Sequence, residues 1–185
     1  MKFNKIHIMG CPGTGKSTLA NKLASKINSQ FYDLDDIIWL RKYDKKRNVK
    51  EKKKLLEKII NNKRWVIEGV SRSWIKKSLD KADLIIFLDL PIRIITYRLV
   101  KRYLHRKFIK KSNNNESFKD NLELARLSHK LMKESEYEKH SFNWILKNYR
   151  KKVLHFKNQR QIDKFIDHFI KTYYLLILIR IKCCL

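Results

Sequence analysis

A glycine-rich segment near the start of the chain, GCPGTGKST at residues 10–18, has the residue types and spacing of a phosphate-binding loop. From Gly10 to Ser17 it matches G-x-x-x-x-G-K-[ST], and it holds three of the four glycines in the chain. Because glycine has no Cβ, backbone N–H groups can approach phosphate oxygens closely there. A lysine and a hydroxyl after the last glycine add a charge for the phosphates and a ligand for Mg²⁺. The segment therefore predicts a site for ATP and Mg²⁺, and the alternative is a tight turn without a ligand.

We expect every residue of this segment to contact the nucleotide: Gly10, Cys11, Pro12, Gly13, Thr14, Gly15, Lys16, Ser17 and Thr18. Lys16 is predicted to reach the β and γ phosphates and to act in catalysis, and Ser17 is predicted to bind Mg²⁺. After the loop, Leu19, Leu23 and Ile27 recur at helical spacing. A helix that starts near Lys16 directs its unpaired N–H groups and its positive dipole end toward the phosphates.

Three aspartates follow the second strand candidate, in the run Asp33-Leu34-Asp35-Asp36. Strand alternation would place Asp33 and Asp35 on one side, leading toward the phosphate loop, although we expect the strand to end among these aspartates. One carboxylate could then hold a water on Mg²⁺, and the other could orient or deprotonate the hydroxyl of a phosphoryl acceptor. The structural alternative is an N-cap for a helix over Ile37 to Leu40, a role that suits Asp35 or, better, Asp36.

Another carboxylate follows the third strand candidate, in the run EGVSR that begins at Glu68. An acid at a strand end facing a phosphate loop positions Mg²⁺ through water, so Glu68 is predicted to serve the metal. Arg72 is predicted to bind a phosphate as a planar fork. Asp89 in LIIFLDLP is the competing metal candidate, because four apolar residues followed by Asp are also typical of this role. Its place two residues before Pro91 favours a helix start instead, so we prefer Glu68.

Three arginines, Arg98, Arg102 and Arg106, are spaced four residues apart on the helix predicted after the fourth strand. They therefore lie on one helix face. The polar stretch KKSNNNESFKD follows them, and together they resemble a mobile lid that binds anions. We expect Arg102 and Arg106 to stabilise the transferred phosphoryl group and Arg98 to bind substrate. The alternative is a solvated basic helix face.

Five short apolar segments predict the strands that position these residues: Ile6–Met9, Phe31–Leu34, Trp65–Ile67, Leu84–Leu88 and Val153–Phe156. Their alternation with helical stretches indicates an α/β fold, in which a parallel sheet is covered on both faces. Ligands of such sheets bind beyond the carboxyl ends of the strands, where the candidate residues lie. We expect one domain over 1–171, with acceptor-side helices at about 36–64, a lid at about 98–135, and an apolar C-terminal tail or helix end at 172–185.

The chain has 185 residues and a formal net charge of +26. Residues 41–64 hold 12 basic and 3 acidic side chains, and residues 98–160 hold 18 basic and 6 acidic side chains. This excess is compatible with nucleic acid, an anionic membrane or anionic small substrates, and equally with a compositional bias toward lysine. Because 43% of the residues are hydrophobic, disorder throughout the chain is excluded.

The cysteines and the chain ends bear on location. Cys11 stands alone, and Cys183 and Cys184 are adjacent, so a disulfide scaffold is excluded and a reduced, cytoplasmic setting is expected. The apolar stretch in MKFNKIHIMG is too short for a signal peptide. The final segment, TYYLLILIRIKCCL, is shorter than the roughly 20 apolar residues of a membrane span. It predicts the end of a helix on the sheet, with an interfacial anchor as the alternative.

Four blocks, KIHIMGCPGTGKST, FYDLDDIIW, RWVIEGV and ADLIIFLDLP, resemble the topology modulation proteins of the FlaR type, small P-loop relatives of adenylate and shikimate kinases. The resemblance implies an adenylate-kinase-like P-loop fold with strand order 2-3-1-4-5. By similarity to shikimate kinases, Asp33 falls on the Mg²⁺ side and Asp35 meets the acceptor. By similarity to nucleoside monophosphate kinases, Glu68, Gly69 and Arg72 fall on an Asp-Gly-Phe-Pro-Arg acceptor motif, in which this chain has Glu for Asp and Ser for Pro.

Two functions fit these observations. The first is a kinase that transfers the γ-phosphoryl group of Mg-ATP to a small acceptor, such as a nucleotide, a nucleoside or a related metabolite. The second is a nucleic-acid-binding ATPase that affects DNA topology, in which the two basic segments hold the phosphate backbone. A GTPase is excluded because the sequence contains no N-K-x-D tetrapeptide for reading the base.

Overall fold

The computed structural model describes residues 3–41, 45–69, 74–108 and 142–182, and five further positions: Lys119, Glu123, Arg126, Leu127 and Lys130. The strands are β1 (Lys5–Gly10), β2 (Phe31–Asp33), β3 (Trp39–Arg41), β4 (Lys45–Lys46), β5 (Trp65–Glu68), β6 (Leu84–Leu88) and β7 (Val153–Phe156). All of them except β3 and β4 form one parallel sheet of order β2-β5-β1-β6-β7. Counted over these five strands alone, the order is the predicted 2-3-1-4-5. The predicted strands are confirmed to within one residue at each end.

The helices are α1 (Lys16–Lys26), α2 (Leu34–Ile38), α3 (Val49–Ile60), α4 (Lys76–Lys81), α5 (Ile92–Phe108), α6 (Phe142–Asn148) and α7 (Gln159–Lys182). A short 3-10 turn, Arg150–Lys152, precedes β7. Strands β5 and β6 are buried along their whole length. A strand buried on both faces reads as a continuous apolar run, which is how the sequence reveals them.

The two faces of the sheet are covered by different helices. Ser17 of α1 contacts Glu68, whereas Ser78 of α4 contacts His7. The register pairs Glu68 with Ile8, the neighbour of His7. Because adjacent residues of a strand point to opposite faces, α1 and α4 lie on opposite sides of the sheet. This confirms the predicted α/β arrangement and brings the carboxyl ends of β1, β2, β5 and β6 to the edge where the phosphate loop begins.

The segment after β2 differs from the prediction. The strand ends at Asp33 and α2 begins at Leu34, so alternation does not extend to Asp35 and the predicted helix start at Ile37 is wrong. The reason is the Asp33 side chain, which accepts a hydrogen bond from the Asp35 backbone amide at 2.8 Å and caps α2. Asp35 and Asp36 lie in the first turn of the helix, so the capping role predicted for either of them is also wrong.

The region 36–64, predicted to be helical, forms a side arm made of α2, the antiparallel β3–β4 hairpin and α3. Arg47 ends α2, because its Nη1 atom donates to the Asp36 and Trp39 carbonyl oxygens at 2.6 Å each. Carbonyls at a helix C-terminus have no partner within the helix, and a guanidinium satisfies them well. Asn48 then caps the first turn of α3. These side-chain caps explain why a hairpin interrupts the predicted helical region.

Helix α5 runs without interruption from Ile92 to Phe108, so the first part of the lid predicted at 98–135 is regular helix. Between 109 and 141 only the five single positions given above are described, and the remainder of the predicted lid lies outside the described residues. Helix α7 continues past residue 171 to Lys182. In the part of the chain that the structure describes, no helix is both long and apolar enough to cross a membrane.

Candidate active site

The phosphate loop between β1 and α1 depends on glycine at both ends. Gly10 has a φ of +148°, and a Cβ there would lie 2.6 Å from the Leu88 carbonyl oxygen on β6. Gly15, at φ 94°, is the N-cap of α1 and makes no side-chain cap. The first-turn N–H groups of α1 therefore lack a side-chain acceptor, which leaves the positive end of the helix open to an anion.

Lys16 folds back over this loop. Its Nζ atom donates to the Cys11 carbonyl oxygen at 3.1 Å, and the Thr14 hydroxyl donates to the same oxygen at 2.8 Å. The Cys11 side chain is buried, and it is the backbone carbonyl of Cys11 that accepts these two hydrogen bonds. Lys16 Nζ also lies 4.0 Å from Glu68 Oε2, which links the loop to the end of β5.

Glu68 is the centre of the site. It is 4% exposed, and its Oε1 atom accepts a hydrogen bond from the Ser17 hydroxyl at 2.7 Å. Burial raises the pKa of Glu68, and the nearby charges of Asp33 and Asp35 add to the rise. The Lys16 charge and the Ser17 hydrogen bond act against it. A buried carboxylate with a raised pKa at a strand end is typical of a functional position, because its charge costs free energy unless a partner or a cation balances it.

Asp33 and Asp35 reach the same edge by different routes. Asp33 pairs in register with Glu68 on the neighbouring strand, and one of its carboxylate oxygens caps α2. Asp35 lies half-buried in the first turn of α2, near enough to Glu68 for its charge to raise the Glu68 pKa. The structure thus brings these three carboxylates together with Lys16 and Ser17, although the alternation argument for Asp35 fails.

Asp89 belongs to a different group of contacts. Its Oδ2 atom lies 2.7 Å from His155 Nε2, and its backbone amide donates to the Phe156 carbonyl oxygen at 2.8 Å. The predicted capping role of Asp89 is wrong, because the Ile95 amide donates to the Pro91 carbonyl oxygen and so makes Pro91 the N-cap of α5. Of the two carboxylates considered for the metal, Glu68 is the one that bonds to Ser17.

Arg98 joins the phosphate loop to α7. Its guanidinium donates to the Thr14 carbonyl oxygen at 3.0 Å and to Gln159 Oε1 at 2.7 Å. Together with Thr18 and Lys22 of α1, these residues line a cleft of about 220 Å³. Arg98 therefore lies on the side of the loop that faces α1 and α7, and it is anchored between two elements instead of projecting from a lid.

Comparison with known proteins places the chain in a family. A family model described as "AAA domain" matches residues 6–119. The chain belongs to this AAA-domain family. A curated relative, "Uncharacterized protein YqaC" of Bacillus subtilis (strain 168), is 37% identical over 114 residues. The match covers 61% of this chain and spans 61% of the relative's length. The narrower resemblance to FlaR-type proteins stays a prediction.

Solved structures resemble this AAA-domain protein over nearly its whole length. They include a shikimate kinase from Acinetobacter baumannii, in complex with shikimate, at TM-score 0.50 and 16% identity, covering 97% of this chain and 95% of the other. A shikimate kinase from Bacteroides thetaiotaomicron gives 0.52 and 18%, with 92% and 98% covered. A gluconokinase from Sinorhizobium meliloti 1021 gives 0.53 and 12%, with 94% and 93% covered. At these identities the likeness establishes a P-loop kinase-like fold.

The remaining predicted residues of the AAA-domain protein fall into three groups. Gly69 is described, and its amide donates to the Ile8 carbonyl oxygen at 3.0 Å. Arg102 is exposed on α5, the helix that also contains positions 98 and 106, and its role stays a prediction. Arg72 and the side chain of Arg106 lie outside the described residues, so their contacts with substrate stay predictions.

Sequence reasoning missed the residues that close the cleft from α7. Gln159 begins this helix with two residues between it and the end of β7, and its side-chain amide donates to Asp163 Oδ1 at 2.8 Å. The rule that ligands bind beyond the carboxyl ends of parallel strands would have identified Gln159, had it been applied to the last strand as well. No comparable sequence pattern identifies Lys22 as a cleft residue, because one lysine among many on a helix is usually a solvated side chain.

Proposed function

We propose that this AAA-domain protein is an ATP-dependent phosphotransferase that moves the γ-phosphoryl group of Mg-ATP to a hydroxyl of a small acceptor, such as a nucleotide, a nucleoside or a related metabolite. The observation that carries the proposal is the 2.7 Å bond between the Ser17 hydroxyl and Glu68, with Lys16 Nζ 4.0 Å away, at the open N-terminus of α1. Phosphoryl transfer is catalysed mainly by positioning and by neutralising charge, and these groups supply both.

The described residues fit Mg-ATP. A Cβ at Gly10 would clash with the Leu88 carbonyl oxygen, so only glycine lets the loop backbone lie this close to β6 at the N-terminus of α1. Among the described residues no cluster of three or more His, Cys, Asp or Glu side chains is arranged for a metal. Mg²⁺ usually takes one or two protein oxygens and completes its shell with water and phosphate, so Ser17 and Glu68, with Asp33 nearby, are a sufficient set. Bound Mg²⁺ would neutralise charge on the β and γ phosphates.

Each of the chain's own residues then has a role. Lys16 would leave the Cys11 carbonyl for the β and γ phosphates. Asp35 would orient the acceptor hydroxyl and take its proton as the oxygen–phosphorus bond forms, while the bond between the γ-phosphorus and the β,γ-bridging oxygen breaks and ADP leaves. Arg102 and Arg106 would stabilise the charge on the transferred group. Gly69, Arg72 and Arg98 would hold the substrates.

The fold comparison supports a small acceptor. The similar structures are named shikimate kinase and gluconokinase, and the likeness extends over at least 92% of this chain in each case. A shared fold by itself does not carry an activity, so the acceptor rests on the chemistry of the site. The carboxylates Asp33 and Asp35 at the strand edge favour a hydroxyl, because a carboxylate can accept its proton.

The experiment that tests the proposal incubates the protein with γ-labelled ATP, Mg²⁺ and a panel of nucleosides, nucleotides and polyol acids, and then scores labelled products. We expect one acceptor class to become phosphorylated by the wild type, with no product from Lys16→Ala. Lys26→Ala is the matched control, because Lys26 lies on the same helix about 15 Å farther along. Phosphate release without any labelled acceptor would contradict the kinase proposal.

The alternative function is a nucleic-acid-binding ATPase that affects DNA topology. The observation in its favour is the exposed outer face of α3, where Lys50, Lys54 and Lys58 follow one another at four-residue spacing. ATP hydrolysis that single-stranded or duplex DNA stimulates, and that rising salt suppresses, would support this alternative. An ATP hydrolysis rate that does not change when DNA is added, together with a phosphorylated small molecule, would exclude this alternative.

A further inference from the structure

A buried histidine that the proposed mechanism does not use lies in the middle of β1. His7 is 0% exposed and is surrounded in the sequence by the apolar residues Ile6, Ile8 and Met9. Burial lowers its pKa to about 4, so the ring is neutral at physiological pH. A polar ring in such a place costs free energy unless its nitrogen atoms are hydrogen-bonded.

Both ring nitrogens of His7 have partners. Nε2 lies 3.2 Å from the Gly69 carbonyl oxygen, and Nδ1 lies 3.1 Å from the Ser78 hydroxyl. A carbonyl oxygen only accepts, so Nε2 carries the proton of the neutral ring and donates it to Gly69. The Ser78 hydroxyl has a single proton and two acceptors within reach: it donates to the Ile75 carbonyl oxygen at 2.7 Å, and His7 Nδ1 lies 3.1 Å from the same hydroxyl. The ring thus connects β1 to Gly69 and to α4.

Gly69 is held from three directions. Its amide donates to the Ile8 carbonyl oxygen at 3.0 Å, its carbonyl faces the His7 ring, and a Cβ at this position would lie 2.9 Å from Leu34 Cβ. Glu68 precedes it directly and carries the bond to Ser17. Gly69 is therefore the point at which the chain leaves the nucleotide-facing strand end, and Leu34 is the first residue of α2, which carries Asp35.

The His7 bonds lie on the face of the sheet away from the phosphate loop. Glu68 points toward α1, whereas His7, one position away in the register, points toward α4. Loss of the His7 bonds would release the Gly69 carbonyl and the start of α4 without touching Lys16, Ser17 or the first turn of α1. The consequences should fall on the acceptor side of the reaction.

We infer that His7 is a positioning residue for the acceptor: by holding the Gly69 carbonyl and Ser78, it fixes Gly69 against Leu34 at the start of α2 and thereby the place of the acceptor beside Asp35. The inference rests on the proposed function. His7 touches neither the nucleotide loop nor the reacting atoms, so its effect is exerted through Gly69. Loss of the His7 hydrogen bonds should therefore weaken acceptor binding and leave nucleotide binding unchanged, whereas a general loss of stability would weaken both.

The test compares the wild type with His7→Phe, which keeps a ring but removes the hydrogen bonds, and with His7→Gln, whose amide can donate to Gly69. With the acceptor found in the panel, we expect the acceptor KM to rise about tenfold in His7→Phe, in which the Gly69 carbonyl loses its His7 donor, and to recover in part in His7→Gln. The Kd for Mg-ATP should stay within about twofold of the wild type, because the loop is untouched.

Hydrogen exchange makes the inference testable without an acceptor. In His7→Phe the amides of Gly69 and α4 should exchange faster, while those of α1 stay protected, and Ser78→Ala should give the same pattern to a smaller extent. Unchanged exchange at Gly69 would overturn the inference even if the protein proves to be no kinase. Equal losses of acceptor and Mg-ATP binding would also overturn it, since they indicate a structural role. A wild type that phosphorylates nothing, but whose variants show the expected exchange, would count against the proposed function and leave the positioning of Gly69 supported.

Discussion

The nucleotide loop and the side arm lie at the same edge of the sheet, yet they are held in different ways. The loop is packed between buried strands, with Gly10 against Leu88 and Ser17 bonded to the buried Glu68. The side arm is lysine-rich and packs on the core through a few residues such as Leu56 and Ile60, and single side chains such as Asp33 and Arg47 hold its turns. We call the loop with Glu68 the proposed nucleotide half and the side arm with Asp35 the proposed acceptor half. Burial holds the first in one geometry, whereas the second depends on a few caps that can be removed individually.

The largest effect is expected when the charge of Lys16 in the phosphate loop is removed. Lys16→Ala should lower the rate of ATP turnover by about 10²–10³-fold, because the ammonium that neutralises the phosphates is lost. Turnover is measured with saturating acceptor, or as ATP hydrolysis if no acceptor is found. Lys26→Ala should behave as the wild type. Full activity of Lys16→Ala would show that the loop is not the catalytic half.

Acidification tests the buried histidine beneath the acceptor half. The folded-state pKa of His7 is lowered from 6.5 to about 4, so the unfolded chain binds this proton first. The free energy of unfolding therefore carries no penalty from His7 above pH 6.5, and it falls by about 3 kcal/mol as the pH is lowered toward 4. Chemical unfolding at several pH values should show this loss in the wild type and not in His7→Phe. Parallel pH profiles of the two proteins would show that His7 is not buried as described.

Glu68→Gln separates stability from function within the nucleotide half. Because burial raises the pKa of Glu68, its charge costs the folded protein free energy, and the neutral amide should raise the Tm of the ligand-free protein. The same change should weaken Mg²⁺-dependent activity by about 10–100-fold. Thermal unfolding and an Mg²⁺ titration of the rate measure the two effects. A lower Tm together with normal Mg²⁺ dependence would contradict the assignment of Glu68.

The smallest effect is expected at the cap of the side arm. Arg47→Ala removes hydrogen bonds to three carbonyl groups at the end of α2 and should destabilise the protein by about 1–3 kcal/mol. The acceptor KM should rise while the Kd for Mg-ATP does not change, because α2 carries Asp35. Arg47→Lys keeps the charge and part of the hydrogen bonding, so its stability and its acceptor KM should lie between those of the wild type and Arg47→Ala. Equal effects on both ligands would mean that the two halves are not independent.

Much of the fold follows from local pattern. The five sheet strands are short apolar runs, and burial on both faces makes such runs visible in the sequence. The side arm was predicted less well, since its helix boundaries depend on which side chain caps which turn. Asp33, Asp35 and Asp36 are equally good caps by residue type, and only the end of the pairing between β2 and β5 decides that Asp33 takes the role.

The sequence by itself determined the phosphate loop, because nine consecutive residues carry the glycines, the lysine and the hydroxyl that the chemistry needs. Only the tertiary structure decided which distant carboxylate completes the site. Ser17 and Glu68 are 51 residues apart, and the parallel register of β1 with β5 brings Glu68 under α1. The same packing directs Asp89 to His155, 66 residues away. Contacts of this kind arise from strand order and register, which local residue patterns do not specify.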